Sequence, residues 1–175
     1  MGFHHVAVAT RDLAATHRFY SGPMGFTLVK VVAGKTEGGW SKHLFYETEG
    51  NGLIAFWDLH DETVPKEFDP AISTGLGLPI WTNHIAFDAR DLDDLEARKK
   101  RLLDHGVDVM EVDRGWCTSI YARDPNGIMV EFCTTTQPFT AVDREEAARL
   151  LADPNPPLEG SKTPVLHRAQ QKARA

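Results

Sequence analysis

A nine-residue segment occurs twice in the chain, as His5-Val-Ala-Val-Ala-Thr-Arg-Asp-Leu13 and again as His84-Ile-Ala-Phe-Asp-Ala-Arg-Asp-Leu92. The two copies align without a gap, 79 positions apart, and five of their nine residues are identical. Similarity at a fixed offset indicates two copies of one structural unit. In both copies an Asp precedes a helix-like segment, where its carboxylate can accept hydrogen bonds from the first turn.

The similarity continues beyond this stretch. A predicted helix follows each copy, at 12–20 and 91–105, and a glycine then opens a β-rich segment. Each half closes with Asn-Gly and another strand-like segment. The order predicts an α+β fold of two tandem βαβββ units that form a curved, cup-like mixed sheet. The predicted divisions are a first unit at 1–62, a linker loop at 63–80 that can also cover the site, a second unit at 81–134, and a C-terminal extension with a short helix and a tail at 135–175.

Composition excludes several classes of function. The chain has 175 residues, a net charge of -6 and no basic stripe, which argues against a nucleic-acid partner. No apolar run approaches the roughly 20 residues that span a bilayer, and the N-terminus has no signal-peptide pattern. Two cysteines cannot make a disulfide framework. These features predict a globular protein of the reducing cytoplasm.

Strand parity assembles a candidate metal site. Side chains alternate across a strand, so His5, its repeat counterpart His84, and Glu131 in the last strand can line one concavity of the cup. Two imidazoles and one carboxylate suit a divalent ion and leave positions open for substrate. The alternatives are two structural histidines with satisfied hydrogen bonds and a Glu131 that faces water.

Further candidates follow from the same parity. Tyr121 can direct its phenol at the open metal positions, and His43 is a candidate acid/base because imidazole titrates near neutral pH. Packing in the core for Tyr121 and exposure to solvent for His43 are the alternatives. Apolar and small side chains beside them would bind substrate, namely Phe45, Trp57, Ser119 and Met129. Arg114, in a turn near the rim, could clamp a substrate carboxylate.

These residues resemble the vicinal oxygen chelate superfamily, which includes glyoxalase I, bleomycin-resistance proteins, fosfomycin-resistance enzymes and type I extradiol dioxygenases. The resemblance spans roughly residues 2–134 and rests on the two half-units, the His that opens each, and Asp124-Pro-Asn-Gly127 running into Glu131. It implies that His5, His84 and Glu131 hold the metal. Glyoxalase I has a fourth, acidic ligand, but Ala55 or Phe56 stands at that position here.

The three-ligand set is similar to that of extradiol dioxygenases. The segment Ile120-Tyr-Ala-Arg-Asp-Pro-Asn-Gly-Ile-Met-Val-Glu131 fits their pattern of a Tyr ten residues before the ligating Glu, although the upstream His of that pattern has no counterpart at 112–114. The resemblance implies an Fe(II) enzyme that cleaves a catechol-like aromatic diol with dioxygen, as a monomer or a homodimer. The alternatives are a non-redox enzyme (isomerase, lyase or fosfomycin-type thiol transferase) on Mn(II), Zn(II) or Ni(II), and a non-enzymatic binding or resistance protein.

Overall fold

The first half forms a four-stranded sheet covered by one helix. A computed structural model describes residues 3–50, 52–160 and 162–170. The elements of this half are β1 (His5–Thr10), α1 (Leu13–Ser21), β2 (Thr27–Lys35), β3 (Gly39–Glu47) and β4 (Leu53–Asp61). The sheet order is β1-β4-β3-β2, with β1 parallel to β4 and the other pairs antiparallel.

The second half repeats this order. Its elements are β5 (His84–Asp88), α2 (Leu92–Asp104), β6 (Val109–Asp113), β7 (Cys117–Arg123) and β8 (Met129–Thr135). The sheet order is β5-β8-β7-β6, again with its first strand parallel to its last. The extension adds α3 (Ala141–Ala152) and β9 (Val165–His167), which pairs antiparallel with β6 as a fifth strand. The predicted α+β fold with two βαβββ units is confirmed.

Both repeated helices begin as the sequence predicts. The carboxylate of Asp12 accepts a hydrogen bond from the Ala15 amide at 2.8 Å, and that of Asp91 accepts one from the Asp94 amide at 2.8 Å. Each bond satisfies an amide that has no partner within its own helix. The repeated Arg-Asp-Leu is therefore a helix start in both halves.

The two halves share one hydrophobic core. Phe26, just before β2, lies 4.9 Å from the ring of Phe87 in β5 and 6.0 Å from that of Phe132 in β8. The core side of β4 contributes Ile54 and Phe56 to the same cluster. Because side chains alternate along strands, the histidines and Glu131 lie on the opposite, outer faces of their sheets. The strands form two hydrogen-bonded sheets, one of four and one of five strands.

The turn at Asp124-Pro-Asn-Gly127 locks the halves together. Asp124 is buried and accepts a hydrogen bond from the phenol of Tyr20 at 3.1 Å, while Asn126 accepts one from the hydroxyl of Thr10 at 2.8 Å. Burial is the main cause that raises the pKa of Tyr20 and also that of Asp124. Gly127 has a φ of 80°, a left-handed conformation that favours glycine. This motif is therefore structural, and it carries the chain into the strand of Glu131.

The segments outside the repeat are a linker and a C-terminal extension. The linker, 63–80, contains a short 3-10 turn, and its first part lies beside the Thr10 end of β1. The residues that line the cavity over Glu131 come from the second half and from the tail, and a covering role of the linker stays a prediction. The predicted short helix is confirmed as α3, which Thr140 caps. Residues 161 and 171–175 of the tail lie outside the described residues. Among the described residues no helix is long and apolar enough to cross a membrane.

Candidate functional site

His84 and Glu131 meet on the outer face of the second sheet. In the parallel register of β5 and β8, Ala86 is opposite Glu131, which places His84 one residue pair further along the same face. The His84 Nε2 atom lies 3.0 Å from the Glu131 Oε2 atom. Two side chains that the sequence separates by 47 positions therefore direct an imidazole nitrogen and a carboxylate oxygen at one point.

The other ring nitrogen of His84 is already engaged. His84 Nδ1 lies 3.0 Å from the main-chain oxygen of Trp81, a distance at which an Nδ1–H donates to the carbonyl. This bond leaves Nε2 facing Glu131, and at 3.0 Å a proton or a metal ion must lie between the two atoms. A histidine that ligates a metal is held in the same way, with its second nitrogen donating to a carbonyl.

Glu131 is buried, with 6% of its surface exposed. The sequence allowed a solvent-facing glutamate, but the strand turns this carboxylate into the cavity wall. A buried carboxylate is costly unless a cation or several hydrogen-bond donors compensate it. Among the described residues, His84 is the ion-pair partner of Glu131, and a cation bound between the two would compensate this carboxylate.

Tyr121 stands beside this pair on β7, directly opposite Glu131 in the strand register. Burial is the first cause that raises the pKa of its phenol, and the Arg114 guanidinium beside it acts in the opposite direction. The same proximity raises the pKa of Arg114. The phenol therefore stays protonated at neutral pH, with an arginine beside it.

A cavity of about 380 Å³ opens over these groups. Its lining residues are His84, Arg114, Trp116, Cys117, Ser119, Tyr121, Glu131, Cys133, Glu159 and Lys162. Ser119, a predicted substrate contact, is in this wall. Met129 lies beside His84 in the register but outside the cavity lining. Both cysteines are free thiols, and burial raises the pKa of Cys133 to about 11.

The remaining predicted residues lie together on the outer face of the first sheet. The ring of His5 is 5.6 Å from Phe45 and 6.2 Å from His43, and His43 stacks on Trp57 at 3.7 Å. Burial, and then the nearby His5, lower the pKa of His43. The His43 Nε2 atom is buried without a hydrogen-bond partner among the described residues. This face therefore carries a neutral imidazole against aromatic walls.

The structure thus divides the predicted site between two faces. We call the set His5, His43, Phe45 and Trp57 the first-half face, and the set His84, Tyr121, Ser119 and Glu131 the second-half face. Ala7 and Ala86, which flank the two histidines, are exposed. Within residues 3–50, 52–160 and 162–170, no group of three or more His, Cys, Asp or Glu residues could hold a metal ion. One chain brings two of the three predicted ligands together and leaves His5 on another surface.

Sequence reasoning missed two contributors to the cavity, Glu159 and Lys162. Both belong to the tail, which has no counterpart in the repeat and no periodic pattern. The pairing of β9 with β6 helps to bring this segment to the site, and a three-residue strand is too short a signal to recognise from sequence. The contact of Arg114 with Tyr121 was also missed, although the sequence marked Arg114 as a residue near the rim.

Comparisons with known proteins agree with this architecture. Residues 2–132 match the family model described as Glyoxalase/Bleomycin resistance protein/Dioxygenase superfamily. No curated protein matches the sequence.

Solved structures resemble the chain at low sequence identity. A lactoylglutathione lyase from Agrobacterium tumefaciens is 22% identical, covers 75% of this chain and 91% of its own, and has a TM-score of 0.52. A genomically encoded fosfomycin resistance protein, FosX, from Listeria monocytogenes is 18% identical, covers 82% and 98%, and has a TM-score of 0.54. A glyoxylase/bleomycin resistance protein/dioxygenase domain from Frankia sp. is 20% identical, covers 77% and 98%, and has a TM-score of 0.55. At these identities the likeness concerns the fold alone.

Proposed function

The chain belongs to the Glyoxalase/Bleomycin resistance protein/Dioxygenase superfamily, and on that basis we propose that it is a metal-dependent enzyme whose site is completed by a second copy of itself. The observation that carries the proposal is the meeting of His84 Nε2 and Glu131 Oε2 at 3.0 Å. A divalent ion bound there would supply a Lewis acid, or a redox centre, to a substrate with two adjacent oxygens.

The donor set fits such an ion. His84 presents Nε2 because Trp81 holds its Nδ1, and Glu131 is a buried carboxylate in need of positive charge. The third donor in the proposal is His5 of the partner subunit. A two-His, one-carboxylate set leaves coordination positions open, as an enzyme site requires.

The proposal of a dimer rests on the exposed edges. β1 and β5 each end their sheet, and both carry exposed small residues, Ala7 and Ala86, next to a histidine. An unpaired apolar edge invites pairing with another strand. A two-fold dimer that set β1 of one copy beside β5 of the other would bring the first-half face against the second-half face twice, as an isologous interface requires. Val32 and Trp57, 48% and 37% exposed, would then become covered.

Ring cleavage of a catechol-like aromatic diol is the first candidate reaction. Fe(II) would be the metal and dioxygen the second substrate. The Nε2 atom of His43 has no hydrogen-bond partner in the part of the chain that the structure describes, and the pKa of this imidazole is lowered, so it can accept the proton of a diol hydroxyl. Tyr121 keeps its proton and can donate a hydrogen bond to a substrate oxygen. Phe45 and Trp57 supply flat apolar walls for an aromatic ring.

A non-redox reaction is the second candidate, on Mn(II), Zn(II) or Ni(II). It is favoured by the contact of Arg114 with Tyr121, which puts a permanent cation where an extradiol-type pattern expects a histidine. The similar structures named lactoylglutathione lyase and fosfomycin resistance protein are consistent with this chemistry. Metal analysis and oxygen uptake with catechols separate the two candidates. Uptake that depends on Fe(II) supports ring cleavage, and metal binding without uptake supports the second.

Complementation between subunits tests the shared site. His5→Ala and His84→Ala chains each lack one ligand in every homodimer site. A heterodimer of the two would hold one intact site and one doubly defective site, so random pairing should restore metal to about one quarter of the sites. Metal content after mixing through denaturant and refolding is the readout, with mixed His84→Ala and Glu131→Gln chains as the control. Those two ligands come from the same chain in this proposal, so no pairing of them restores a site. Equal recovery in both mixtures would refute the shared site.

A further inference from the structure

The C-terminal tail forms part of the cavity over His84 and Glu131. We call residues 154–160 and 162–170 the strap. It runs from the end of α3, past the cavity, to β9 on the edge of the second sheet. Glu159 and Lys162 line the cavity together with Arg114 from the turn between β6 and β7. The superfamily match ends at residue 132, so the strap is an addition of this chain to the shared fold.

The chain leading into the strap is fixed to the cavity rim. The amides of Thr136 and Gln137 donate to the Trp116 main-chain oxygen at 2.9 and 3.2 Å, and the Thr136 hydroxyl donates to the Gly115 oxygen at 2.8 Å. The ring of Phe139 lies 5.2 Å from that of Trp116. These contacts tie the segment after β8 to the turn that presents Arg114.

The far end is fixed by strand pairing and by charge. His167 Nε2 lies 2.8 Å from the Glu111 carboxylate, which also accepts a hydrogen bond from Lys99 at 2.9 Å. Arg168 donates to Asp108 at 2.6 Å. Between these anchors, Glu159 and Lys162 lie in the lining of the cavity. The strap therefore forms part of the cavity wall.

Cationic side chains outnumber acidic ones in the part of the cavity lining away from Glu131. Arg114 and Lys162 are cations in one lining, Glu159 is the opposing acid on the strap, and Glu131 is the acid beside His84. Arg114 is a permanent cation, and the Tyr121 phenol beside it raises its pKa further. With a divalent ion balancing Glu131, the cavity carries a net positive charge away from the metal position. Such a site attracts an anion.

We propose that the strap selects substrates that carry an anionic group, a carboxylate or a phosphate-like group, in addition to the oxygens that would bind the metal, and that Lys162 together with Arg114 binds that group. The inference rests on the proposed metal site. Lys162 is a specificity residue here because it contacts the part of the substrate remote from the reacting atoms. Glu159 opposes anion binding and sets its strength.

Diols with and without a carboxylate test whether the strap selects an anionic substrate. Zinc-loaded full-length protein is titrated in a calorimeter with catechol and with the dihydroxybenzoates (2,3- and 3,4-isomers), which add one carboxylate to the same diol. We expect the better dihydroxybenzoate to bind about tenfold more tightly than catechol, the scale of one charge-assisted hydrogen bond. Lys162→Gln should reduce that preference by about five- to tenfold, because the carboxylate loses a charged donor that catechol has no carboxylate to use.

A second residue of the strap, Glu159, provides a control for which the opposite effect is expected. Glu159→Gln should raise the carboxylate preference by about two- to fivefold, whereas a strap that acts only as packing would respond to both substitutions in the same direction. Lys66→Gln, on the exposed linker, should change neither the affinity for catechol nor that for the dihydroxybenzoates. Unchanged preference in both strap variants, with catechol still bound, would overturn the inference and leave the proposed function standing. Failure of the unaltered protein to retain zinc would overturn both, and the zinc content measured on the same samples distinguishes the two failures.

Discussion

Replacing Phe26 with alanine tests whether the two halves depend on one core. Phe26 is 2% exposed and belongs to the first half, yet its ring contacts Phe87 and Phe132 of the second half. Truncating a buried phenylalanine costs about 3–5 kcal/mol in transfer and cavity terms. For a chain of this length each kcal/mol lowers Tm by about 2–4 °C, so Phe26→Ala should lower Tm by about 6–20 °C.

Urea denaturation at one fixed protein concentration measures the effect, because assembly would make stability depend on concentration. Far-ultraviolet circular dichroism and tryptophan fluorescence should give coincident transitions, since tryptophans occur in both halves. Leu151→Ala, at a residue 91% exposed on α3, is the control and should change the free energy of unfolding by less than about 0.5 kcal/mol. A loss below about 1 kcal/mol for Phe26→Ala, or a first half that unfolds separately, would refute the shared core.

Three further predictions concern the halves, the strap and the site. Tyr20→Phe removes the phenol that donates to buried Asp124, so it should cost about 1–3 kcal/mol in urea denaturation, and an unchanged midpoint would contradict that role. The pKa of Glu111 is lowered, first by its hydrogen bond from Lys99, so its stabilisation of the strap is present above the ordinary glutamate pKa of about 4.3 and is lost as pH falls further. Amide-exchange protection of β9, corrected for intrinsic rates, should therefore be lower at about pH 3 than at about pH 6. Equal protection at these two pH values would refute the linkage. Tyr121→Phe should lower catechol-dependent kcat by about a hundredfold with metal content unchanged, whereas an unaltered kcat would remove it from the mechanism.

Local sequence signals predicted most of the fold. The repeat of His5 and His84 marks equivalent strands, and Asp12 and Asp91 start both helices because the capping bond lies within one turn. Parity also predicted that Glu131 shares a face with Tyr121, since adjacent strands keep alternate residues on one side. These features depend on neighbours in sequence or in one hairpin, where few arrangements compete.

Long-range arrangement was harder to predict. Parity states that His5 and His84 are on equivalent faces, but it does not state whether those faces meet within one chain. That depends on which surfaces the apolar residues bury, and Phe26 buries its ring between the halves on the helix side. The strap is a second case, because the contacts of Lys162 follow from a three-residue strand and ion pairs such as Arg168 with Asp108. Neither the surface on which the halves meet nor the path of the strap leaves a periodic pattern in the sequence.

Metal content measures whether His84 and Glu131 hold a divalent metal ion. Protein purified without oxygen and loaded with Fe(II), Mn(II) or Zn(II) in turn should bind about one ion per chain after removal of excess metal. His84→Ala should lower the affinity for the best-bound ion by at least about tenfold. His60→Ala, which changes a histidine on the far part of β4, should leave that affinity unchanged. Equal metal content in the unaltered protein and the His84→Ala variant would show that His84 does not hold the ion.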